Sequence, residues 1–190
     1  MASGLGPSDV LARIVAALDD TGVPYMLSGS FASTLFGSPR ATQDIDIVIE
    51  PTLGSLERLL FHFAGDAYYV NRDAAREAYG LEGMFNVIDL ATGWKIDFIM
   101  RKSRPFSREE FGRRRLVETS GLRLYVASAE DVAVAKLEWA KLGESERQIR
   151  DVAGILRVQG ETLDLEYIRR WVAGLHLENQ WEAACRLVPK

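Results

Sequence analysis

The run Asp44-Ile45-Asp46-Ile47-Val48-Ile49 admits few folds. It alternates at its start and is rich in β-branched residues, so it predicts a strand ended by Pro51, with Ile45, Ile47 and Ile49 on one face. Both aspartates then share the other face, their Cα atoms about 7 Å apart. On an open surface two such carboxylates are simply solvated. Turned inward, they can converge on one divalent ion. The surroundings favour the second use: the pair is embedded in apolar residues and follows Gly29-Ser30, a turn that opens a helix, by 14 positions.

The elements around this strand follow from the same rules. Val10, Leu11, Ile14, Val15 and Leu18 recur at helical spacing after Ser8 and Asp9, and Gly22-Val23-Pro24 stops that helix. Tyr25 to Leu27 reads as a short buried strand, the Gly-Ser turn leads into a helix over 31–36, and another helix covers 53–63. A strand near 68–70 and a short charged helix around 73–79 come next. Residues 84–90 and 94–100 form a hairpin about Ala91-Thr92-Gly93, with Lys95 and Asp97 on one face and Trp94, Ile96, Phe98 and Met100 on the other. A second hairpin is expected at 116–118 and 122–126 about Ser120-Gly121. Ser128 and Asp131 then resemble a capping box, and helices are expected to about 142 and over 144–159, 164–175 and 178–187.

The architecture is therefore α/β over 1–127, followed by a helical region over 128–190 expected to pack on it. A chain of 190 residues suits one domain, or one domain with a helical annex. With 47% apolar and 26% charged residues, the composition excludes disorder as the main state. The one cysteine, Cys185, cannot form an internal disulfide and fits a reducing compartment. The opening residues have neither the charged start nor the apolar middle of a signal peptide, and no apolar run approaches the roughly 20 residues of a membrane span. A soluble, cytoplasmic protein without membrane partners is expected.

Three acids near a turn suited to phosphate are the components of two-metal phosphoryl or nucleotidyl transfer. Asp44 and Asp46 supply two. Asp97, between Ile96 and Phe98, is a third acid with no evident structural purpose. The start of the helix at Gly29 and Ser30 offers unpaired N–H groups and a positive dipole end.

These residues also resemble a known family. Leu27-Ser28-Gly29-Ser30, then Asp44-Ile45-Asp46-Ile47, then Ile96-Asp97-Phe98 look like the signature of the polymerase-beta-like nucleotidyltransferase superfamily. That resemblance implies a mixed sheet flanked by helices, with a helical bundle following it. It also implies nucleoside triphosphate (NTP) as substrate and Mg2+ held in a two-metal site by Asp44 and Asp46. Asp97 would complete the site or accept the nucleophile's proton. Arg40-Ala41-Thr42-Gln43-Asp44, Asp131 to Leu137 and Glu146 to Asp151 further resemble the AbiEii and MenT branch of toxin-antitoxin nucleotidyltransferases. Membership there implies that Lys136 and Asp151 join the site, that tRNA or another RNA is the acceptor, and that a cognate antitoxin or toxin protein is the partner.

Several residues carry two readings. Lys136 shares a face with Val132, Ala135 and Trp139, so it is either a triphosphate contact or a lysine whose stem packs while its head reaches water. Arg40 holds a nucleotide phosphate or is an ordinary loop arginine. Asp151 contacts nucleotide or pairs with Arg147 one turn earlier. Residues 101–115 carry seven basic side chains (Arg101, Lys102, Arg104, Arg108, Arg113, Arg114, Arg115) against Glu109 and Glu110, in a chain of net charge -4. They are an RNA footprint or a solvated helix and loop. His62 and His176 suggest no metal cluster, Cys185 reads as a small buried hydrophobe, and Trp139, Trp171 and Trp181 read as helix-packing residues. The function expected on these grounds is Mg-dependent transfer of a nucleoside monophosphate (NMP) to an acceptor hydroxyl. The rivals are a non-catalytic antitoxin or adaptor of the same fold, and a nucleotidyltransferase acting on a small molecule such as an aminoglycoside, or on a protein.

Overall fold

A computed structural model describes residues 6–37, 42–119 and 121–189. In chain order the elements are α1 (Pro7–Thr21), β1 (Tyr25–Leu27), α2 (Gly29–Phe36), β2 (Asp44–Ile49), α3 (Leu53–His62), β3 (Tyr68–Val70), α4 (Arg72–Leu81), β4 (Met84–Asp89) and β5 (Lys95–Met100). They continue with α5 (Pro105–Gly112), β6 (Arg115–Thr119), β7 (Leu122–Val126), α6 (Ala129–Gly143), α7 (Glu146–Gln159), α8 (Leu165–Gly174) and α9 (Glu178–Arg186). Two compact units result, one of Met1–Leu27 with Thr42–Val126 and the other of Ser28–Ala41 with Ala127–Lys190. The segment around α2 thus groups with the C-terminal helices, because α2 packs on α6 and α7.

The first unit is a mixed sheet with helices, and its strands among the described residues run β3-β4-β5-β2-β1-β7-β6. Both expected hairpins are present as the antiparallel pairs β4/β5 and β6/β7, although Ser120 of the second turn lies outside the described residues. Parallel pairings β2/β5 and β1/β7 join what the hairpins leave separate. Ile45, Ile47 and Ile49 are buried along β2, as the alternation requires, and Phe98 is fully buried on β5. The Phe98 ring stacks on Phe85, with centroids 5.2 Å apart, and meets Phe63 at 5.8 Å. Burying one such side chain contributes about 1.5–3 kcal/mol, so this aromatic cluster anchors β5 from its apolar side.

Helix α1 buries Val10, Ile14 and Leu18 completely and packs on α3, which buries Leu56, Leu59 and Leu60. Its N-cap is Gly6, two residues before the expected start at Ser8. Asp9 serves the cap from inside the helix, its Oδ2 accepting the Gly6 N–H at 3.0 Å. Gly22 closes the helix in the left-handed conformation, φ 65°, which favours glycine there.

In the second unit, α6 is covered by α2, α7, α8 and α9. Ser128 caps it, its Oγ accepting the Asp131 N–H at 3.2 Å and donating to Asp131 Oδ2 at 2.7 Å. Asp131 is fully buried, and Tyr167 Oη of α8 donates to its Oδ1. With four helices around it, α6 is buried on most sides, not along one stripe. Trp139 falls on the side left open and is 50% exposed, so the expected apolar face of Val132, Ala135, Lys136 and Trp139 is only partly buried. Cys185 is also exposed, because α9 turns Ala184 inward instead. No helix among the described residues is long and apolar enough to cross a membrane.

Candidate functional site

Strands β2 and β5 run parallel in the register Asp44↔Lys95 and Asp46↔Asp97. Paired residues of neighbouring strands project to the same face, so Asp44, Asp46, Lys95 and Asp97 form a two-by-two polar patch opposite the apolar side. The structure therefore brings together the three acids singled out in the sequence. It also adds Lys95, whose role sequence reasoning missed. The signal was present: Asp-x-Asp and Lys-x-Asp have the same spacing, so any parallel register that pairs Asp46 with Asp97 must pair Asp44 with Lys95.

The Lys95 ammonium lies 2.9 Å from Asp97 Oδ2 and 3.4 Å from Asp44 Oδ1. The hydrogen bond to Asp97, with the charges of Asp97 and Asp44, holds the Lys95 pKa above the ordinary lysine value against the opposing effect of burial. Asp97 is only 5% exposed, and its Oδ1 is buried without a hydrogen-bond partner among the described residues. Asp44 is half exposed. Among the described residues no group of three or more His, Cys, Asp or Glu side chains is disposed to hold a metal ion as it stands.

The remaining candidates belong to the second unit. Gly29 opens α2 at φ 60°, a conformation that side chains disfavour and that lets the chain turn from Ser28 directly into the helix. Ser30 is buried in the first turn of α2. Lys136 Nζ lies 2.8 Å from Asp151 Oδ2 and 2.9 Å from Gln148 Oε1. Its side chain is 3% exposed, so the head does not reach bulk water as a snorkelling lysine would. Asp151 meets Lys136 on the neighbouring helix, and Gln148 is the second residue that sequence reasoning missed. Arg40 lies outside the described residues.

The basic stretch 101–115 is put to several structural uses. Arg101 pairs with Glu50 at 2.5 Å, and Arg104 Nε donates to Ser107 Oγ at 3.0 Å. The Arg114 guanidinium sits 4.2 Å from the Phe111 ring centroid and 5.3 Å from that of Tyr125. Lys102, Arg108 and Arg115 are exposed.

No protein-family model matches the chain, and no curated protein sequence matches it. Solved structures do. The antibiotic-resistance factor ANT(2'')-Ia aligns in its solution structure with a TM-score of 0.55 at 16% identity, over 90% of this chain and 95% of that one. The crystal structure of ANT(2'')-Ia in complex with adenylyl-2''-tobramycin aligns with a TM-score of 0.51 at 16% identity, over 94% of each chain. An antigenic nucleotidyltransferase-like protein from Paracoccidioides brasiliensis aligns with a TM-score of 0.52 at 15% identity, over 95% of this chain and 93% of that one. At such identities the likeness is one of fold: this chain has a nucleotidyltransferase-like fold.

Proposed function

We propose that this protein is a magnesium-dependent nucleotidyltransferase that takes an NTP, transfers NMP to an acceptor hydroxyl and releases pyrophosphate. One observation carries the reading: Asp46 and Asp97 are register partners with Asp44 beside them, and a buried oxygen of Asp97 has no donor among the described residues. The donor set fits magnesium, since three carboxylates supply only hard oxygen ligands. An orphaned carboxylate oxygen in the interior is costly unless a cation meets it. Asp44, Asp46 and Asp97 would hold the metal. When bound, the ions neutralise phosphate charge and activate the attacking oxygen.

The chain's own groups divide the rest of the work. Asp44 and Asp46 are fixed by a strand whose other face is core, so their backbone has little freedom to reorganise during the reaction. The acceptor oxygen bonds to the α-phosphorus as the bond to the β-phosphate oxygen breaks. The hydroxyl proton passes to solvent by way of the carboxylates. On the sequence resemblance, the phosphate-binding roles fall to Gly29, Ser30, Arg40, Lys136 and Asp151. The N–H groups that open α2 suit an anion, and Lys136 is a cation withheld from bulk water.

The finer assignment, an AbiEii/MenT-like toxin with tRNA as acceptor and a cognate antitoxin as partner, rests on sequence resemblance. A specific observation favours a small-molecule acceptor instead. Arg101, Arg104 and Arg114 make contacts within their own unit and Arg113 is half-buried, which leaves Lys102, Arg108 and Arg115 as the exposed cations, a thin footprint for a polyanion. The structural neighbour solved with adenylyl-2''-tobramycin agrees with this choice.

The test is label transfer from each of the four α-labelled NTPs, with Mg2+, to an aminoglycoside panel, to total tRNA and to the protein itself. The Asp44→Ala/Asp46→Ala double variant is run alongside. Label on an aminoglycoside that vanishes in the double variant establishes the small-molecule reading. Label on tRNA restores the toxin reading, and label on protein indicates modification of self or partner. Absence of label together with absence of Mg-NTP stabilisation would leave the non-catalytic adaptor.

A further inference from the structure

Lys95 lies where its charge has a consequence for the acids around it. Its ammonium bridges Asp44 Oδ1 and Asp97 Oδ2, so a single positive charge already sits between two of the three carboxylates expected to bind the metal. Two of the acids' oxygens, Asp44 Oδ1 and Asp97 Oδ2, are thus turned to the ammonium.

We infer that Lys95 is an internal counter-cation that competes with the divalent ion, holding the acid patch together before the metal arrives and giving up its two oxygens when it does. The inference rests on the metal-binding role of Asp44, Asp46 and Asp97 proposed above. Three like charges on adjacent strands repel one another, and with Asp97 nearly excluded from water that repulsion is poorly screened. A tethered ammonium relieves it at any metal concentration. The β2/β5 register fixes the lysine opposite Asp44, and its four-carbon stem is long and flexible enough to swing the head away. Asp97 Oδ1 takes no part in the pair, so the patch keeps one carboxylate oxygen that the lysine does not satisfy.

The test measures binding of Mn2+ alone, without nucleotide, by calorimetry on the full chain. It compares the parent with Lys95→Met, Lys95→Arg and Asp46→Asn. Removing the competing ammonium should tighten Mn2+ binding by roughly fivefold, the scale of one partly exposed ion pair. Lys95→Arg, which keeps the charge, should stay close to the parent. The metal-free melting temperature of Lys95→Met should fall, because the carboxylates lose their counter-charge, and saturating Mn2+ should restore it. Should Lys95→Met fold poorly, Lys95→Gln removes the charge while keeping a hydrogen-bond donor.

Mn2+ binding that is lost in Asp46→Asn but unchanged or weaker in Lys95→Met and Lys95→Gln overturns the inference and leaves the metal site standing. Binding that appears only when the lysine is removed supports it in its strongest form. No binding by parent or lysine variants at millimolar Mn2+ removes both the inference and the metal site.

Discussion

Asp46 of β2 stands directly opposite Asp97 of β5 in the parallel ladder, so a single register fixes the central pair of acids. The first prediction follows from that pairing. Asp46→Asn and Asp97→Asn should each fold, yet lose the rise in melting temperature on adding Mg-NTP, and label transfer should fall by at least about 100-fold. A variant that keeps the nucleotide-dependent shift would remove its aspartate from the metal set.

Tyr167→Phe should cost about 1–3 kcal/mol in urea unfolding, because Asp131 is fully buried and loses a donor to Oδ1. A loss well under 1 kcal/mol, on the same scale, would mean that another donor or water replaces the phenol.

Two glycines should respond in opposite directions to alanine. A Cβ on Gly37 would lie 3.1 Å from Ile155 N and 3.2 Å from Gly154 C, both backbone atoms that cannot swing aside. Gly37→Ala should therefore destabilise by about 1–3 kcal/mol. A Cβ on Gly80, within α4, meets nothing within 4 Å, and Gly80→Ala should stabilise by about 0.5–1 kcal/mol. Thermal melts of both variants check the pair.

Glu82 gives the pH prediction. The Ser103 N–H donates to its Oε2 at 2.9 Å, and this bond holds the Glu82 pKa below the ordinary glutamate value. A carboxylate with a depressed folded pKa adds stability that is present above its unfolded pKa and lost as pH falls through the folded one. Glu82→Gln should thus lower the melting temperature at neutral pH and lose that deficit on acidification from about pH 6 to about pH 3. Parallel curves over that range would show that the bond does not discriminate between charge states.

Much of this was legible in the sequence because it is local. Alternation placed Asp44 and Asp46 together, and Lys95 and Asp97 together, each on the correct face of its strand. Capping chemistry located α6 at Ser128. What escaped depends on pairing between distant segments. The salt bridge from Lys95 to Asp44 exists only through the β2/β5 register, and the Gln148 contact to Lys136 needs α6 and α7 side by side. Trp139 and Cys185 lie exposed for a related reason: apolar spacing tells which residues could be buried, while the number of neighbouring helices decides which are.

The grouping of α2 with α6 and α7 also constrains the order in which the protein can assemble as it is made. The strands and helices of the first unit have all been synthesised once Val126 emerges from the ribosome, but α2 leaves the tunnel long before the helices it packs on exist. Until then Ala32, which the finished fold shields completely, lacks the C-terminal helices of its own unit. The nascent chain must carry this segment without α6 and α7 through most of translation, and a ribosome stalled between Val126 and α7 would hold it in that incomplete state.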